Sequence, residues 1–344
     1  MIESTQHFSA GTLRPWIIQI FETLSVPSDQ AVIMADSLIT TSLRGVDTHG
    51  VMYTRTYAND IKNGVVNPTP SITVVKEKPA TALIDGDLGL GVVVATTAMR
   101  LAMDKAKTQG VGAVGVRNST HFGATALYPM MATAEGMVGL AFSNASPTVA
   151  PWGGKTLLLG TNPLAAGFPG GEAGDIILDM ATTKVAWGKM NVLAKAGKKM
   201  PFGWATDLDG NPTDDPNVGI RGLMLPLGDH KGYGLALFIE LICAALSGAA
   251  FDHEIENEQD YSHFFIAIDA AAFLPIADLR ARVAGLTELF HESEPLKEGG
   301  RIYMPGEIED ETYKHRSEHG IPMLETVVEE LRALGEERGM PFPM

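Results

Sequence analysis

Short runs of β-branched and other apolar residues alternate with helical patterns between residues 72 and 290. This alternation predicts an α/β domain with a largely parallel or mixed sheet, because helices that connect strands pack on the faces of the sheet. The strand-like runs are Ile72–Val75, Ala82–Ile84, Val111–Val116, Val138–Phe142, Ile176–Leu178 and Phe264–Ile268. The clearest helical patterns are Val92–Lys107, Ala124–Glu135, Thr182–Ala194, Tyr233–Leu246 and Ala277–Phe290.

Both ends of the chain have a helical pattern instead. The charged amphipathic segment Leu324–Arg338 predicts a last helix that packs back on the first ones. Apolar periodicity and capping residues predict N-terminal helices over Trp16–Leu24, over Ala31–Leu43, and from Asp47 or Thr48 to Lys62.

The charge of the chain limits its partners. Acidic residues outnumber basic ones by 41 to 26, which gives a formal net charge of −15. Such a surface repels phosphate backbones and anionic lipid, so we expect neither nucleic-acid nor membrane binding. The sequence has one cysteine, Cys243, which excludes an intrachain disulfide, and its N-terminus lacks a signal-peptide pattern. We therefore expect a cytoplasmic protein.

Two motifs match known sites but stand in the wrong context. Residues 110–115 spell the dinucleotide fingerprint GxGxxG, which requires a strand, a turn and then a helix. Here the glycines follow a helix and lead into a strand, so we interpret Gly110 as the residue that ends the helix. His315, Glu318 and His319 spell the zinc-protease pattern HxxEH, but this charged stretch reads as a solvated helix face, and we predict no metal site.

Two histidines are candidates for catalysis. His49 is predicted in the opening turn of a helix, where free N–H groups favour a neutral imidazole and a nearby anion. A neutral histidine there suits a proton donor to an oxygen atom. His121 is predicted to open another helix after a strand that ends near Arg117, and α/β sheets bind ligands at such strand ends.

Polar and glycine-rich segments supply candidate anion-binding groups. Residues 143–147, 151–154 and 160–163 are rich in small donors, although plain connecting turns have the same composition. Asp179 is predicted to end a strand and to cap the next helix. Lys231 places a fixed cation at the start of a Gly/Ala-rich helix.

These motifs carry a family resemblance. The chain resembles the type-2 malate/L-lactate dehydrogenase family from about Leu13 to Arg338. This family includes malate, sulfolactate and ureidoglycolate dehydrogenases, diketogulonate reductase and cyclic-imine reductases. The motifs that carry the resemblance occur in order: RGVDTHGV at 44–51, NSTHFGA at 118–124, SNASP at 143–147, PWGG at 151–154, GTNPLA at 160–165, LDMATT at 178–183, GDHKGYGLA at 228–236 and MPGE at 304–307.

The resemblance implies a fold and an activity. The fold is α/β but not Rossmann: a mixed-sheet domain of residues 76–299 binds NAD or NADP, and residues 1–75 with 300–344 form a discontinuous helical domain. The activity is hydride transfer between NAD(P)H and a small 2-oxo or 2-hydroxy acid, so the partner is a small-molecule carboxylate substrate. The resemblance also implies a homodimer.

The resemblance further implies roles for single residues. His49 is the proton donor, His121 assists near the nicotinamide or acts as the base, and Thr48 belongs to the substrate site. The cofactor-binding residues it implies are Ser146, Asp179, Met180, Ala181, Thr182, His230, Lys231, Gly306 and Glu307.

One position departs from the family pattern. In most relatives an arginine four residues after the catalytic histidine holds the substrate carboxylate, and here that position is Tyr53. Arg55 lies seven residues beyond Thr48 and would share its face in one continuous helix. We expect Arg55 to replace the missing contact; the alternative is that Tyr53 marks a substrate with a hydroxyl or a ring.

Other activities remain as alternatives. Within the family the alternative is reduction of a cyclic imine carboxylate, such as piperideine- or pyrroline-2-carboxylate. From other classes, the alternatives are a zinc hydrolase that uses His315, Glu318 and His319, and a binding protein of this fold without catalytic activity.

Overall fold

The computed structural model describes residues 5–256 and 259–343 of the chain. The helices are α1 Ala10–Thr23, α2 Ser28–Leu43, α3 Thr54–Lys62, α4 Gly91–Gln109, α5 Leu127–Ala134, α6 Trp187–Lys195, α7 Pro216–Arg221, α8 His230–Glu240, α9 Ile276–His291, α10 Glu307–His319 and α11 Glu325–Arg338. The strands are β1 Thr5–Phe8, β2 Thr73–Glu77, β3 Thr81–Asp85, β4 Val111–Thr120, β5 Met137–Ser143, β6 Leu164–Phe168, β7 Ile176–Met180, β8 Ala205–Thr206, β9 Leu223–Met224, β10 Gln259–Asp269 and β11 Ile321–Leu324.

A mixed sheet forms the centre of the molecule. Seven strands of the described chain form it in the order β2-β3-β4-β10-β5-β6-β7. The β3–β4 pair is parallel and is connected by the crossover helix α4, whereas the other neighbouring pairs are antiparallel. The predicted mixed α/β fold is therefore confirmed. The sheet lacks the repeated parallel crossovers of a doubly wound nucleotide-binding fold.

The GxGxxG segment joins α4 to β4. Gly110 has φ of 78° and ends α4, as the sequence predicted. A Cβ atom added at Gly112 would lie 2.0 Å from the carbonyl oxygen of Ala102, so glycine is needed for the helix to pack this closely on the strand. Gly110 therefore serves the end of α4, and Gly112 serves the packing of α4 on β4.

The two ends of the chain share one hydrophobic core. Leu13 and Ile17 of α1 are fully buried in a cluster with Val328 and Leu331 of α11. β1 also pairs antiparallel with β11. The predicted packing of the last helix on the first ones is thus confirmed. The start of α4 contributes Val92 to the same cluster. The exact domain boundaries at 75/76 and 299/300 stay a prediction.

Several elements differ from the sequence expectation. The third N-terminal helix begins at Thr54 rather than at Asp47 or Thr48, because two short 3₁₀ turns precede it. α5 and α6 begin at Leu127 and Trp187, later than predicted. α8 continues as one π-helical turn, Leu241–Ala245, which contains the buried Cys243. In the described ranges, no helix combines the length and apolar character needed to cross a bilayer.

We expect a chain that ends at His319 to be insoluble, because it loses β11 and α11 and exposes the core of the terminal helices. The corresponding point variant, Leu331→Ala, should lower the free energy of unfolding by about 2–5 kcal/mol, the usual cost of a cavity at a fully buried leucine. Denaturant unfolding measures this loss.

Leu324→Ala is the matched control, since Leu324 is 39% exposed and its truncation should change stability little. A soluble, active chain without residues 320–344 would show that the last helix is an accessory.

Candidate active site

The His49 segment is fixed on α2 by close backbone contact. Asp47–His49 and Val51–Tyr53 form two 3₁₀ turns separated by Gly50. A Cβ atom at Gly50 would lie 2.1 Å from the Ser42 hydroxyl oxygen, and this hydroxyl accepts a hydrogen bond from the Val51 amide at 2.9 Å. The expectation that His49 lies in the first turn of an α-helix is therefore wrong, because the contact at Gly50 interrupts the helix.

Ion pairs from the C-terminal part of the chain hold the same segment from the other side. Arg316 of α10 donates to both carboxylate oxygens of Asp47, at 2.6 and 3.0 Å, and to the carbonyl oxygen of Ser42 at 2.6 Å. Arg44 is buried and pairs with Asp310, also on α10. Bidentate pairs of this kind fix direction as well as distance, so α10 sets the position of the residues before His49.

The structure brings the two candidate histidines together in one aromatic cluster. The ring centroids of His49 and His121 are 5.5 Å apart. The Tyr53 ring is nearly parallel to the His49 ring at 5.9 Å and lies 4.9 Å from the His121 ring. The hydroxyl oxygen of Tyr57 is 2.8 Å from His121 Nδ1. We call these four residues the histidine cluster.

Both histidines of the cluster are neutral at neutral pH. Burial lowers the pKa of His49 to about 4. Burial, with smaller contributions from His49 and His263, lowers the pKa of His121 to about 3. Burial also raises the pKa of Tyr57 well above its ordinary value, so its hydroxyl keeps its proton. His49, His121 and Tyr57 are thus neutral groups that form hydrogen bonds.

His121 does not open a helix, contrary to expectation. It follows the last residue of β4, and α5 begins only at Leu127. The neighbouring Phe122 ring stacks on the buried His263 ring of β10 at 4.5 Å and 6°. The end of β4 therefore positions His121, supported by β10.

Tyr57 was missed by the sequence reasoning. It follows Tyr53 by four residues, and this spacing places both rings on one side of α3. The spacing of the two tyrosines could have indicated that both lie at the site. It becomes informative only once α3 is known to begin at Thr54.

Arg55 lies away from the histidine cluster. It is two residues from both Tyr53 and Tyr57, which places it about 200° around the helix from each of them. Its guanidinium pairs with Glu337 of α11 at 2.7 Å. The prediction that Arg55 shares a helix face with Thr48 is wrong, because no continuous helix joins residues 48 and 55. Thr48 does lie at the cluster: its hydroxyl oxygen is 3.0 Å from His49 Nδ1.

α6 packs against Thr48, beside the histidine cluster. A Cβ atom at Gly188 would lie 3.2 Å from Cβ and Cγ2 of Thr48. The helix backbone therefore contacts the residue next to His49, and the segment around α6 forms one wall of the site.

Of the residues implied to bind the cofactor, Asp179 and Thr182 connect neighbouring segments. Asp179 does not cap the helix that follows it; its carboxylate accepts from the Ala126 amide at the start of α5, at 2.9 Å. Desolvation of its carboxylate by the neighbouring segments raises the pKa of Asp179 to about 6, although part of the residue is exposed. The Thr182 amide and hydroxyl both donate to the carbonyl oxygen of Thr161, at 2.9 and 2.8 Å. Met180 and Ala181 lie between them at the end of β7.

His230 and Lys231 lie in the first turn of α8, as predicted for Lys231. Asp229, which precedes the helix, makes no capping hydrogen bond and pairs with Lys184 at 3.2 Å. A Cβ atom at Gly232 would lie 2.8 Å from the carbonyl oxygen of Thr182, so the start of α8 packs directly on the end of the LDMATT segment.

Ser146, Gly306 and Glu307 have separate contacts. The Ser146 hydroxyl oxygen is 2.8 Å from that of Tyr261. Gly306 has φ of 92° and begins α10 beside β7, where the Ile177 amide donates to Pro305 at 2.9 Å. The Glu307 carboxylate pairs with Arg301 and with His291.

The HxxEH motif lies on the exposed face of α10, as the sequence predicted. His315, Glu318 and His319 are all exposed, and the two histidine rings stack on each other at 4.3 Å. Among the described residues, no three His, Cys, Asp or Glu side chains are grouped so that they could hold a metal ion.

Comparison with known proteins identifies the family of the chain. Residues 8–332 match the family model described as malate/L-lactate dehydrogenase. The chain is 39% identical to the malate dehydrogenase of Pyrococcus horikoshii over 337 residues, which cover 94% of this chain and 93% of that protein. It is also 39% identical to the L-sulfolactate dehydrogenase of Methanocaldococcus jannaschii over 330 residues, with 94% and 95% covered.

A solved structure supports the same assignment. The malate dehydrogenase of Entamoeba histolytica superposes with a TM-score of 0.96 at 34% identity, covering 99% of this chain and 100% of that chain. The chain therefore belongs to the malate/L-lactate dehydrogenase family and is an oxidoreductase that transfers a hydride between a nicotinamide cofactor and a small 2-hydroxy acid.

Proposed function

We propose that the enzyme interconverts a 2-oxo acid that carries a second acidic group and the corresponding 2-hydroxy acid, with His49 as the proton donor. The histidine cluster is the observation that supports this proposal, because it gathers neutral imidazoles and hydroxyls around one point. The substrates named for the two relatives, malate and sulfolactate, both have a second acidic group.

Proton transfer is the task of the protein side chains. The bound nicotinamide cofactor supplies the hydride, so that 2-oxo acid, NAD(P)H and one proton give 2-hydroxy acid and NAD(P)⁺. The carbonyl oxygen needs a proton as the hydride reaches its carbon. His49 is neutral in the free protein. A substrate carboxylate beside it favours the charged imidazolium, so His49 takes up a proton when the substrate binds and can donate it during reduction.

Thr48 and the other residues of the histidine cluster orient this donor. The Thr48 hydroxyl bonds His49 Nδ1 and contributes to the substrate site, and the Tyr53 ring packs against both imidazoles. The Tyr57 hydroxyl is closer to His121 Nδ1, at 2.8 Å, than to the His121 carbonyl oxygen, at 3.4 Å. We assign its proton to the shorter bond, which leaves His121 with an Nε2–H group that donates to the substrate.

The residues around α8 fit the pyrophosphate of NAD or NADP. The uncapped first turn of an eleven-residue helix offers amide donors, and Lys231 adds a positive charge. His230 and the segment Asp179–Thr182 flank this turn, and the Ser146 loop and Gly306–Glu307 complete the proposed cofactor site.

We also propose a cytoplasmic homodimer. The outer face of α8 and its π-helical turn exposes Leu237, Phe238, Leu241 and Leu246, which are 38–67% accessible. An apolar helix face of this kind is typical of a surface that binds a second copy of the chain.

Measuring the oxidation of NADH and of NADPH tests the proposed function. Oxaloacetate and sulfopyruvate should be reduced faster than pyruvate, and piperideine-2-carboxylate tests the imine alternative. Faster reduction of the cyclic imine than of every 2-oxo acid would contradict the proposal.

The His49→Ala variant should lower kcat by about 10²–10⁴-fold, the usual contribution of a positioned general acid, with little change in cofactor affinity. His315→Ala is the control, since this exposed histidine belongs only to the zinc alternative. Steady-state kinetics on the best substrate measure both. Wild-type kcat in His49→Ala would show that His49 is structural.

The two reaction directions should respond differently to pH. Because burial lowers the pKa of His49 to about 4, reduction takes up a proton from solution, and its kcat/KM should fall as the pH rises through neutrality. Oxidation begins from neutral His49, so its kcat/KM should not fall over the same range. Initial rates in both directions measure this, and parallel pH profiles would exclude the proposed proton uptake.

The Tyr53→Leu variant should lower kcat/KM by on the order of ten-fold, because it removes ring contacts with both histidines, and an aromatic pair contributes about 0.5–1.5 kcal/mol. Arg55→Met should have a smaller effect, since it breaks a partly exposed ion pair with Glu337. A larger loss in Arg55→Met would restore Arg55 as the carboxylate ligand.

A further inference from the structure

Two buried carboxyl groups lie behind the proposed cofactor site. Asp252 is fully buried and Glu240 is 3% exposed. We propose that Glu240 and Asp252 share a proton, and that this pair positions the loops 143–147 and 159–163 for cofactor binding. The inference rests on the cofactor site proposed above, and we treat both residues as positioning residues.

Asp252 joins the two loops through its carboxylate. Its Oδ1 accepts from the Ala145 amide at 3.2 Å, in the first loop. Its Oδ2 accepts from the Gly160 amide at 2.6 Å and from Asn162 Nδ2 at 2.8 Å, in the second loop. Burial raises the pKa of Asp252, and the three donors to its carboxylate oppose this rise by stabilising the ionised form.

Glu240 has the opposite environment. Its Oε1 accepts from the Asp252 amide at 2.6 Å, whereas its Oε2 is buried and has no donor partner among the described residues. Burial and the facing carboxyl of Asp252 raise the pKa of Glu240. A proton on Glu240, donated to Asp252, gives Oε2 a partner and removes the repulsion between two buried charges.

The other titratable groups at this place add no positive charge. Glu254, in the turn that follows Asp252, raises the pKa of Glu240 further. Burial raises the pKa of the Cys243 thiol in the π-helical turn, and both carboxyls raise it further. The pair is therefore stabilised by its proton and by backbone and side-chain amide donors rather than by a cation.

The two loops lead directly to the proposed cofactor residues. Ala145 precedes Ser146, and the carbonyl oxygen of Thr161 accepts both the amide and the hydroxyl of Thr182. Asn162 Nδ2 also donates to the carbonyl oxygen of Ala236 at 3.1 Å, which fixes the second loop to α8, the helix that presents Lys231. Displacing Asp252 would shift Ser146 and Thr182 relative to Lys231.

Isosteric substitutions test the shared proton. Asp252→Asn places an amide NH₂ opposite N–H groups that need an acceptor. The Kd of the reduced cofactor should therefore rise by on the order of 10–100-fold, whereas kcat at saturating cofactor should be nearly unchanged. Glu240→Ala should also weaken binding. Glu240→Gln should restore it, because the amide donates to Asp252 and its oxygen still accepts from the Asp252 amide.

The pH dependence separates positioning from general stability. In the wild-type protein, loss of the Glu240 proton at alkaline pH places two carboxylates together, so the Kd of the cofactor should rise there. Glu240→Gln should lack this rise. Ile239→Val is the matched control: Ile239 is fully buried next to Glu240, so its truncation should lower Tm without changing Kd.

Amide hydrogen exchange gives a readout that does not depend on the cofactor. The amides of Ala145 and Gly160 should exchange faster in Asp252→Asn and at the wild-type rate in Glu240→Gln. If the wild-type protein binds neither NADH nor NADPH, the proposed function fails while the exchange data still test the pair. Unchanged exchange in Asp252→Asn, or an alkaline rise in Kd that persists in Glu240→Gln, would overturn the inference; if Asp252→Asn does not fold, the pH profile of Glu240→Gln decides.

Discussion

The ion pair between Arg316 and Asp47 connects the two ends of the chain at the active site. Arg316 comes from α10, more than 250 residues after Asp47, and it binds both carboxylate oxygens of Asp47 and the carbonyl oxygen of Ser42. The 3₁₀ turns that hold His49 would be weak by themselves, since such turns have poor hydrogen-bond geometry. Their position therefore depends on α2 on one side and α10 on the other.

This arrangement explains why the terminal helices must pack together for the site to form. α10 is followed by β11, which pairs with β1, and by α11, whose Val328 and Leu331 complete the core around α1. The same packing brings Arg44 and Asp310 into contact. The position of His49 thus depends on the packing of the C-terminal segment.

Much of the fold could be predicted from the sequence, because the segments with strong apolar patterns form the expected strands and helices in the structure. β6 was missed because its residues, Leu164–Phe168, include two alanines and a glycine and have little β-branched character. The helix start at Asp47 was wrong because tertiary contact between Gly50 and Ser42 overrides local propensity. That one error also changed the predicted direction of Arg55.

The sequence indicates candidate site residues but not the contacts that they make. Motif order identified both histidines, but only the structure shows that Tyr53 and Tyr57 join them and that Asp179 bonds to α5. Such contacts depend on how distant segments pack, and no local sequence pattern contains that information. Tyr57 was missed for the same reason, since its partner His121 lies 64 residues further along the chain.

The distribution of charge explains how a chain with a net charge of −15 can bind anions. Arg44 and Arg316 are used to hold the His49 segment, and each faces a carboxylate. Lys231 is different: it is exposed, lies at the positive end of α8, and makes no ion pair within the described part of the chain. Its positive charge therefore adds to the dipole at the start of α8, while His49, His121 and Tyr57 of the histidine cluster stay neutral. Under the proposed function, this separation would let the chain bind an anionic cofactor at α8 without placing a fixed charge beside the reacting oxygen at the histidine cluster.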